Sequence, residues 1–172
     1  MKKFLFILLA CTMSAAASYA QKGNNQVSIG AETNLFLSNG YSNIYNPGIG
    51  GNLKGLYGIG DASQLTLTVA YNAFSGKSSS QYGDQKLSLL PILAGYRYNL
   101  ASGFYGEGQA GLATLTTKVT GFSFSQTNFA AAINVGYTIS GFDLSIRYYT
   151  EGDVVSTFAA RVAYNISLGG KK

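Results

Sequence analysis

The feature that most constrains this chain is a strict alternation of apolar and small residues near its C-terminal end. In residues 157–168 the large apolar side chains stand at every second position, and Thr, Ala, Arg, Asn and Ser fill the positions between them. Successive side chains of a β-strand point to opposite faces of a sheet, whereas a helix would scatter this pattern around its axis. The segment is therefore predicted to be a strand with one apolar face.

Seven further segments carry a similar pattern, some of them interrupted by glycine. Most have about the 9 to 11 residues that a tilted strand needs to cross a bilayer. No run after the first twenty residues approaches the roughly 18 apolar residues of a transmembrane helix. The eight predicted strands cover residues 26–37, 48–59, 65–72, 86–98, 104–115, 128–139, 142–148 and 157–168.

The connections between these strands alternate between long and short. Long polar loops are predicted at 38–47, 75–84 and 118–127, with a shorter one at 150–155. Tight turns are predicted at 60–63, 99–103 and 140–141. Long loops at one end and short turns at the other are typical of outer-membrane barrels. The predicted fold class is all-β, an eight-stranded antiparallel up-and-down transmembrane β-barrel preceded by a cleaved signal peptide.

The first twenty residues have the pattern of a secretory signal peptide. Lys2 and Lys3 precede an apolar run, and residues 18–20 have the small-x-small pattern of a cleavage site before Gln21. The predicted domains are a signal peptide at 1–20 and an outer-membrane barrel at 21–172. A membrane anchor and lipidation of Cys11 are the less favoured alternatives, because the apolar run is short and the residues before Cys11 fit a lipoprotein box poorly.

Charge is scarce, and its position indicates which face of the barrel meets lipid. Only 11% of the residues are charged, against 47% hydrophobic, whereas soluble domains carry about 25% charged residues. The mid-strand charges lie opposite the apolar face, and they are too few to solvate the outside of a soluble barrel. The apolar face is therefore predicted to meet lipid. The alternative is a soluble periplasmic lipocalin-like binder, whose cavity would be lined by Leu65, Val69, Ile133 and Val162.

Five mid-strand charges are predicted to form a network inside the barrel. Glu32 and Lys54 come nearly opposite each other in the first hairpin, which predicts an ion pair. Closure of the barrel brings Arg161 to the depth of Glu32, with Arg147 diagonal to Arg161 and Glu107 reaching in from the far wall. Each charge needs a partner, because an unpaired buried ion is costly.

Three other charged residues are predicted to lie outside this network. Arg97 and Asp143 belong nearer the periplasmic end, in contact with water, and Glu151 belongs to a loop. Glu32→Gln is therefore expected to cost more stability than Glu151→Gln.

Aromatic residues cluster at the strand ends, where amphipathic rings favour the headgroup layers. The predicted periplasmic-side girdle consists of Tyr57, Tyr98, Phe104, Tyr137, Phe142 and Tyr164. The predicted outer-rim aromatics are Tyr71, Phe129, Tyr148 and Phe158.

Composition argues against an enzyme. The chain has no His, which is the commonest general base and metal ligand. Its glycines at 106, 108 and 111 lie within a strand pattern and do not form a phosphate loop. No catalytic, cofactor or metal site is predicted. Without Lys2 and Lys3 the formal net charge is +3, too weak for a nucleic-acid binder.

Two segments resemble a known family. The phrases LPILAGYRY at 90–98 and FYGEG at 104–108, together with the signal ending before Gln21, resemble the small outer-membrane β-barrel domain family of Gram-negative bacteria. The family is similar in architecture to the barrel of the OmpA and OmpX proteins. The resemblance implies a monomer in outer-membrane lipid that uses the barrel-assembly machinery and periplasmic chaperones. Such barrels often finish on an aromatic residue, whereas this chain ends LGGKK.

The function expected from these observations is structural or adhesion-like. Exposed aromatics on extracellular loops suit contact with an extracellular partner. The residues expected to face outward are Tyr41, Tyr45, Tyr82, Phe122 and Phe124. The alternative is a narrow pore for small solutes or ions, in which the charged network lines the path.

Overall fold

The structure is a computed structural model of the chain, and it describes residues 25–77, 85–119, 122–152 and 155–168. The predicted signal peptide, Cys11 and Tyr82 lie outside these residues. The strands form one closed antiparallel barrel in which each pairs with its neighbours in sequence and the last pairs with the first, which confirms the predicted eight-stranded antiparallel up-and-down barrel. The strands are β1 (Gln26–Phe36), β2 (Gly48–Gly58), β3 (Ser63–Ser75), β4 (Lys86–Asn99), β5 (Phe104–Val119), β6 (Phe122–Ile139), β7 (Phe142–Glu151) and β8 (Val155–Ser167).

The predicted loop at 118–127 is wrong, because its described residues, 118–119 and 122–127, are paired strand residues of β5 and β6. The two strands stay in register up to the pair Val119 and Phe122. Cross-strand hydroxyls link them, with 2.8 Å between Thr114 Oγ1 and Thr127 Oγ1. Thr and Ser alternate along one face of this hairpin, and because polar loops are also rich in these residues, the sequence pattern did not distinguish the two. We call residues 114–119 and 122–127 the β5–β6 ribbon.

The predicted loop at 38–47 contains a short helix, α1 (Asn39–Ile44). The backbone around it is tied to the end of β3, since the Asn46 amide donates to Ser75 O at 2.8 Å and the Lys77 amide to Ile44 O at 2.7 Å. No helix in the described ranges is long and apolar enough to cross a membrane. The hydrogen bonds of Asn46 and Lys77 hold the segment against the barrel. We call this end the loop end.

Tight turns close the opposite end of the barrel, as the sequence predicts. A 3₁₀ turn (Ala101–Gly103) joins β4 to β5, and two residues join β6 to β7. Ser140 and Gly141 both have positive φ, 49° and 88°, which is the conformation of a type I′ hairpin turn. We call this end the turn end.

Side chains alternate between the two faces of the barrel wall. The outward positions carry large apolar residues, and the lumen positions are polar except in an apolar layer toward the loop end. In β3, for example, Leu65 and Val69 are exposed, whereas Thr68 and Asn72 are buried. Ile133 and Val162 also lie on the outer face. The predicted lipocalin-like cavity is therefore wrong, because the side chains that would line it face away from the lumen.

Candidate functional site

The carboxylate of Glu107 on β5 is a hydrogen-bond centre inside the barrel. One oxygen accepts from Lys54 Nζ at 2.7 Å and from Arg97 Nη2 at 3.3 Å. The other accepts from Thr66 Oγ1 at 2.7 Å and Gln109 Nε2 at 2.9 Å. All five side chains are buried. The charge of Glu107 is thus matched by two cations and two neutral donors, as a buried ion requires.

Glu32 on β1 is a second centre, closer to the loop end. Arg147 forms a salt bridge to its Oε1. Asn72 Nδ2 donates to the same oxygen at 2.8 Å, and Asn52 Nδ2 donates to the other at 3.0 Å. Asn34 Nδ2 also donates to Oε1 at 3.5 Å, so this carboxylate is satisfied by one cation and three amides.

Asp143 on β7 is a third centre, closer to the turn end. Arg97 Nη1 lies 3.0 Å from one of its oxygens, and Arg161 Nη1 lies 3.3 Å from the other. The Tyr105 hydroxyl donates to Asp143 Oδ1 at 2.6 Å, and the Arg97 guanidinium stacks 3.6 Å from the centre of the Tyr105 ring. Arg161 Nε also donates to Asn52 Oδ1 at 2.8 Å. Arg97 and Asn52 thus join the three carboxylates into one network.

The five predicted network residues all point into the lumen and are buried, but Glu32 and Lys54 do not have the partners that were predicted. The predicted Glu32–Lys54 ion pair is wrong, because Glu32 lies opposite Gly50 while Lys54 lies opposite Ser28. Lys54 instead crosses the lumen to Glu107. The prediction assumed that β1 and β2 pair symmetrically about the middle of the loop. The short helix α1 in that loop shifts the register of the two strands.

The closure of the barrel places the remaining arginines as expected from the strand order. Arg161 lies directly opposite Glu32 in the β1–β8 pairing. Arg147 lies opposite Ala159, two residues from Arg161, and is therefore diagonal to it. The salt bridge to Glu32 comes from Arg147 and not from Arg161, although Arg161 is the residue directly opposite Glu32.

The predicted water contact of Arg97 and Asp143 is wrong. Their exposed fractions are 1% and 0%, because the ring of Tyr105 and the surrounding wall cover them at the turn end. Sequence reasoning also missed Tyr105, whose side chain points inward beside Gly136. The signal that could have identified Tyr105 is the pairing of a large aromatic residue with a glycine on the lumen face.

The predicted loop position of Glu151 is wrong as well. Glu151 is the last residue of β7 and is buried. Its carboxylate accepts from Asn128 Nδ2 at 3.0 Å and from the Tyr149 hydroxyl at 3.3 Å. Glu151 is therefore no neutral control for substitutions of Glu32.

An apolar layer fills the lumen between the charged network and the loop end. Its larger members are Phe36, Phe74, Leu87, Leu89, Leu93, Tyr149 and Val155. All three leucines come from β4, where the outward positions Leu90 and Ile92 are apolar too. Because both faces of this half-strand are apolar, the alternation gives no sign of an inward apolar layer.

Tyr41 in helix α1 and Tyr45, the residue that follows the helix, cover this apolar layer. The Tyr41 ring stacks on Phe36 with 5.3 Å between centres, and the Tyr45 ring lies 6.0 Å from Phe36. The predicted outward presentation of Tyr45 is wrong, because its exposed fraction is 6%. Burial raises the pKa of its phenol above the ordinary value, and the protonated hydroxyl donates to Gln85 Oε1 at 3.2 Å. Tyr41 is half-buried in the same cluster.

The predicted girdle and outer-rim aromatics lie on the outer face of the strands. At the turn end, the Phe104 and Tyr137 rings are 4.7 Å apart, and the Phe142 and Tyr164 rings are 5.2 Å apart. Nine of the ten predicted rings are exposed, and Tyr137 is half-buried by its contact with Phe104. The exposed members are Tyr57, Tyr71, Tyr98, Phe104, Phe129, Phe142, Tyr148, Phe158 and Tyr164.

At the loop end β6 extends beyond its neighbour β7, whereas β4 accompanies β5 up to Lys118. The pairing of β6 with β7 begins only at Ala130, so residues 122–128 pair with β5 alone within the described part of the chain. Phe122 and Phe124 are 84% and 68% exposed. The ribbon thus carries two large aromatic side chains without intramolecular cover from the described residues.

Acidic side chains in the described ranges do not gather into a metal site, since no group of three or more His, Cys, Asp or Glu is placed to hold an ion. The arrangement that the lumen does offer is a buried network of four cations and three carboxylates. Such a set can stabilise the barrel and specify its register.

Comparison with known proteins finds similarity at the level of the fold alone. Neither a family model nor a curated protein sequence matches the chain. The crystal structure of Ail, the attachment invasion locus protein of Yersinia pestis, superposes with a TM-score of 0.60 and 19% identity, covering 85% of this chain and 100% of Ail. Neisserial surface protein A gives 0.59 and 19%, covering 84% of this chain and 97% of that protein.

Two further structures extend the comparison. Ail has also been solved in complex with the heparin analogue sucrose octasulfate, and that structure matches with a TM-score of 0.59, 19% identity and coverage of 85% of this chain and 100% of Ail. A de novo designed transmembrane β-barrel gives 0.51 and 15%, covering 85% of this chain and 98% of the design. The chain therefore has the fold of the small eight-stranded outer-membrane barrels.

Proposed function

We propose that this protein is a monomeric integral barrel of the bacterial outer membrane, exported through a signal peptide at 1–20, with a surface-interaction role. The β5–β6 ribbon is the observation that carries the second half of this proposal. Phe122 and Phe124 project from it at the loop end, where extracellular loops lie in barrels of this type.

The distribution of side chains supports the membrane location. The outer face of the wall is apolar, with aromatic rings toward both ends, as a lipid-facing band requires. Closure pairs every strand with two neighbours, which satisfies the backbone groups that lipid cannot. In water this arrangement would be unfavourable, because it exposes apolar residues and buries polar ones.

The ribbon supports the interaction role. Large aromatic residues are enriched at protein interfaces and are uncommon on a bare solvated surface. The ribbon is held on a rigid barrel, so binding would cost it little conformational entropy. Ail is described as an attachment invasion locus protein and the Neisserial protein as a surface protein, and their shared fold makes a similar role reasonable for this chain.

The lumen gives the pore alternative no comparable support. Lys54 and Glu107 span it in the charged layer, and Phe36, Phe74 and Tyr45 fill it nearer the loop end. An eight-stranded lumen is generally just wide enough to be filled by side chains. We therefore assign the network a structural role and expect no conduction.

The location is tested by cell fractionation, followed by gel migration in detergent with and without boiling. We expect outer-membrane recovery and a heat-dependent shift of the folded barrel. Recovery in the soluble periplasmic fraction without a shift would contradict the membrane assignment.

The interaction role is tested by measuring how well cells that display the protein are retained on plates coated with heparin, because one matched Ail structure holds a heparin analogue. Phe122→Ser/Phe124→Ser should abolish retention while leaving the gel shift unchanged, because neither ring packs in the barrel. Ser123→Ala, on the same ribbon, is the control and should keep retention. Equal retention by the double variant and the control would contradict a role for the aromatic ribbon.

A further inference from the structure

Two lysines lie side by side at the outer rim of the barrel. Lys86 on β4 is directly opposite Lys118 on β5, and both side chains are exposed on the outward face. Like charges at directly opposed positions destabilise a strand pair. Neither lysine forms a salt bridge with a carboxylate in the described ranges, where the ion pairs all belong to the lumen. This pair therefore lacks a countercharge from the described residues.

The outward side chains below the lysines change polarity in steps along the same two strands. Next to the cations lies a hydroxyl-bearing pair, then a mixed pair, then an apolar pair that faces the lipid band. These pairs are Ser88 with Thr116, Leu90 with Thr114, and Ile92 with Leu112. The order of cation, hydroxyl and apolar group is complementary to an amphiphile with an anionic headgroup above its acyl chains.

A pocket beside this column supplies space for such a molecule. It measures about 420 Å³ and opens at the rim. Lys86 and Lys118 line it together with Pro47, Ile49, Tyr71 and Ala73. The two lysines are therefore continuous with apolar surface on β2 and β3, and Tyr71 is one of the exposed rings of the outer rim.

We propose that Lys86 and Lys118 bind the phosphate of an anionic lipid in the outward-facing leaflet, with an acyl chain against Ile49 and Tyr71. This inference depends on the proposed membrane location but not on the aromatic ribbon. A soluble polyanion would contact the lysines and leave the apolar side of the pocket uncovered. A phosphate held between the two ammonium groups would also offset the repulsion between them, because each would then face a countercharge.

The test reconstitutes the mature barrel in nanodiscs that contain phosphatidylcholine and phosphatidic acid, and it counts the retained lipids by native mass spectrometry. Wild-type protein should retain phosphatidic acid preferentially. Lys86→Gln/Lys118→Gln should reduce that preference about 30-fold, from about 1 kcal/mol for each lysine near an anionic lipid surface. Lys86→Arg/Lys118→Arg should keep it, since the positive charge is preserved.

Lys77→Gln is the matched control, because it removes one lysine at the same end but outside the pocket, and it should leave the preference unchanged. Equal retention of both lipids by wild-type protein would overturn the proposal. It would also be overturned if inorganic phosphate competed as well as phosphatidic acid, or if only sucrose octasulfate bound in a lysine-dependent way. The heat-dependent gel shift of each variant separates a lost site from a failed barrel.

Discussion

Tyr105 and Gly136 lie opposite each other in the β5–β6 pairing, and the phenol of Tyr105 occupies the space that a side chain on Gly136 would fill. The missing Cβ lets the ring lie against the inner wall. From there Tyr105 stacks under Arg97 and donates to Asp143. A glycine on one strand thus sets the position of a charge pair contributed by two others.

Gly136→Ala should destabilise the barrel by about 1–3 kcal/mol, the usual cost of overpacking. The new Cβ would overlap the Tyr105 ring and displace it from Arg97 and Asp143. The free energy of unfolding can be measured from urea titrations of the refolded barrel in detergent. Gly108→Ala is the control, since a Cβ at that position meets nothing within 4 Å. Equal stability of the two variants would contradict this packing.

Lys54→Met should cost about 3–5 kcal/mol, because it leaves the Glu107 carboxylate buried without its closest cation. A double-mutant cycle with Glu107→Gln should give a large coupling energy, since the two substitutions remove one contact. The matching cycle between Lys54→Met and Glu32→Gln should give a much smaller one. A larger coupling of Lys54 to Glu32 than to Glu107 would contradict this arrangement and support the Glu32–Lys54 ion pair instead.

Glu32→Gln should destabilise the barrel through loss of the Arg147 salt bridge, and the control for this substitution is Asp61→Asn. Asp61 lies exposed in the turn between β2 and β3, where substitutions usually change stability by no more than about 0.5 kcal/mol. Glu151 cannot serve as the control, because its buried carboxylate accepts two hydrogen bonds. Urea midpoints that coincide for Glu32→Gln and Asp61→Asn would refute the role of Glu32.

Tyr105→Phe removes only the hydroxyl that donates to Asp143 at 2.6 Å. Loss of a hydrogen bond to a charged group should cost about 1.5–3 kcal/mol, while the ring remains stacked on Arg97. Tyr98→Phe, on the exposed outer face at the same end, should have little effect in the same urea titration. No difference between these variants would show that the Tyr105 hydroxyl does not support Asp143.

The filled lumen predicts electrical silence in planar bilayers. Wild-type protein should give no conductance steps, and Arg161→Gln should also give none, because the apolar layer under α1 remains in place. An open porin in the same bilayers provides the positive control. Reproducible steps from wild-type protein that change with Arg161→Gln would support the pore alternative instead.

Strand positions and the faces of their side chains could be read from the sequence where the two faces differ. Thr68 and Asn72 alternate with Leu67, Val69 and Tyr71, and the structure places the two sets inside and outside. The same reasoning failed at the outer half of β4, where Leu87 and Leu89 point inward. It failed again at the β5–β6 ribbon, where many Ser and Thr residues resemble a polar loop although Phe122 and Phe124 alternate with Ser123 and Ser125.

The sequence by itself determined the barrel and the choice of residues that face lipid, because alternation is a local property that each strand carries independently. Only the tertiary structure decided that Lys54 meets Glu107, that Arg147 meets Glu32, and that Arg97 and Asp143 are buried. These contacts cross the lumen, so they depend on the register and tilt of all eight strands together. A shift of a few residues in one hairpin, such as the one around α1, exchanges every partner across the diameter.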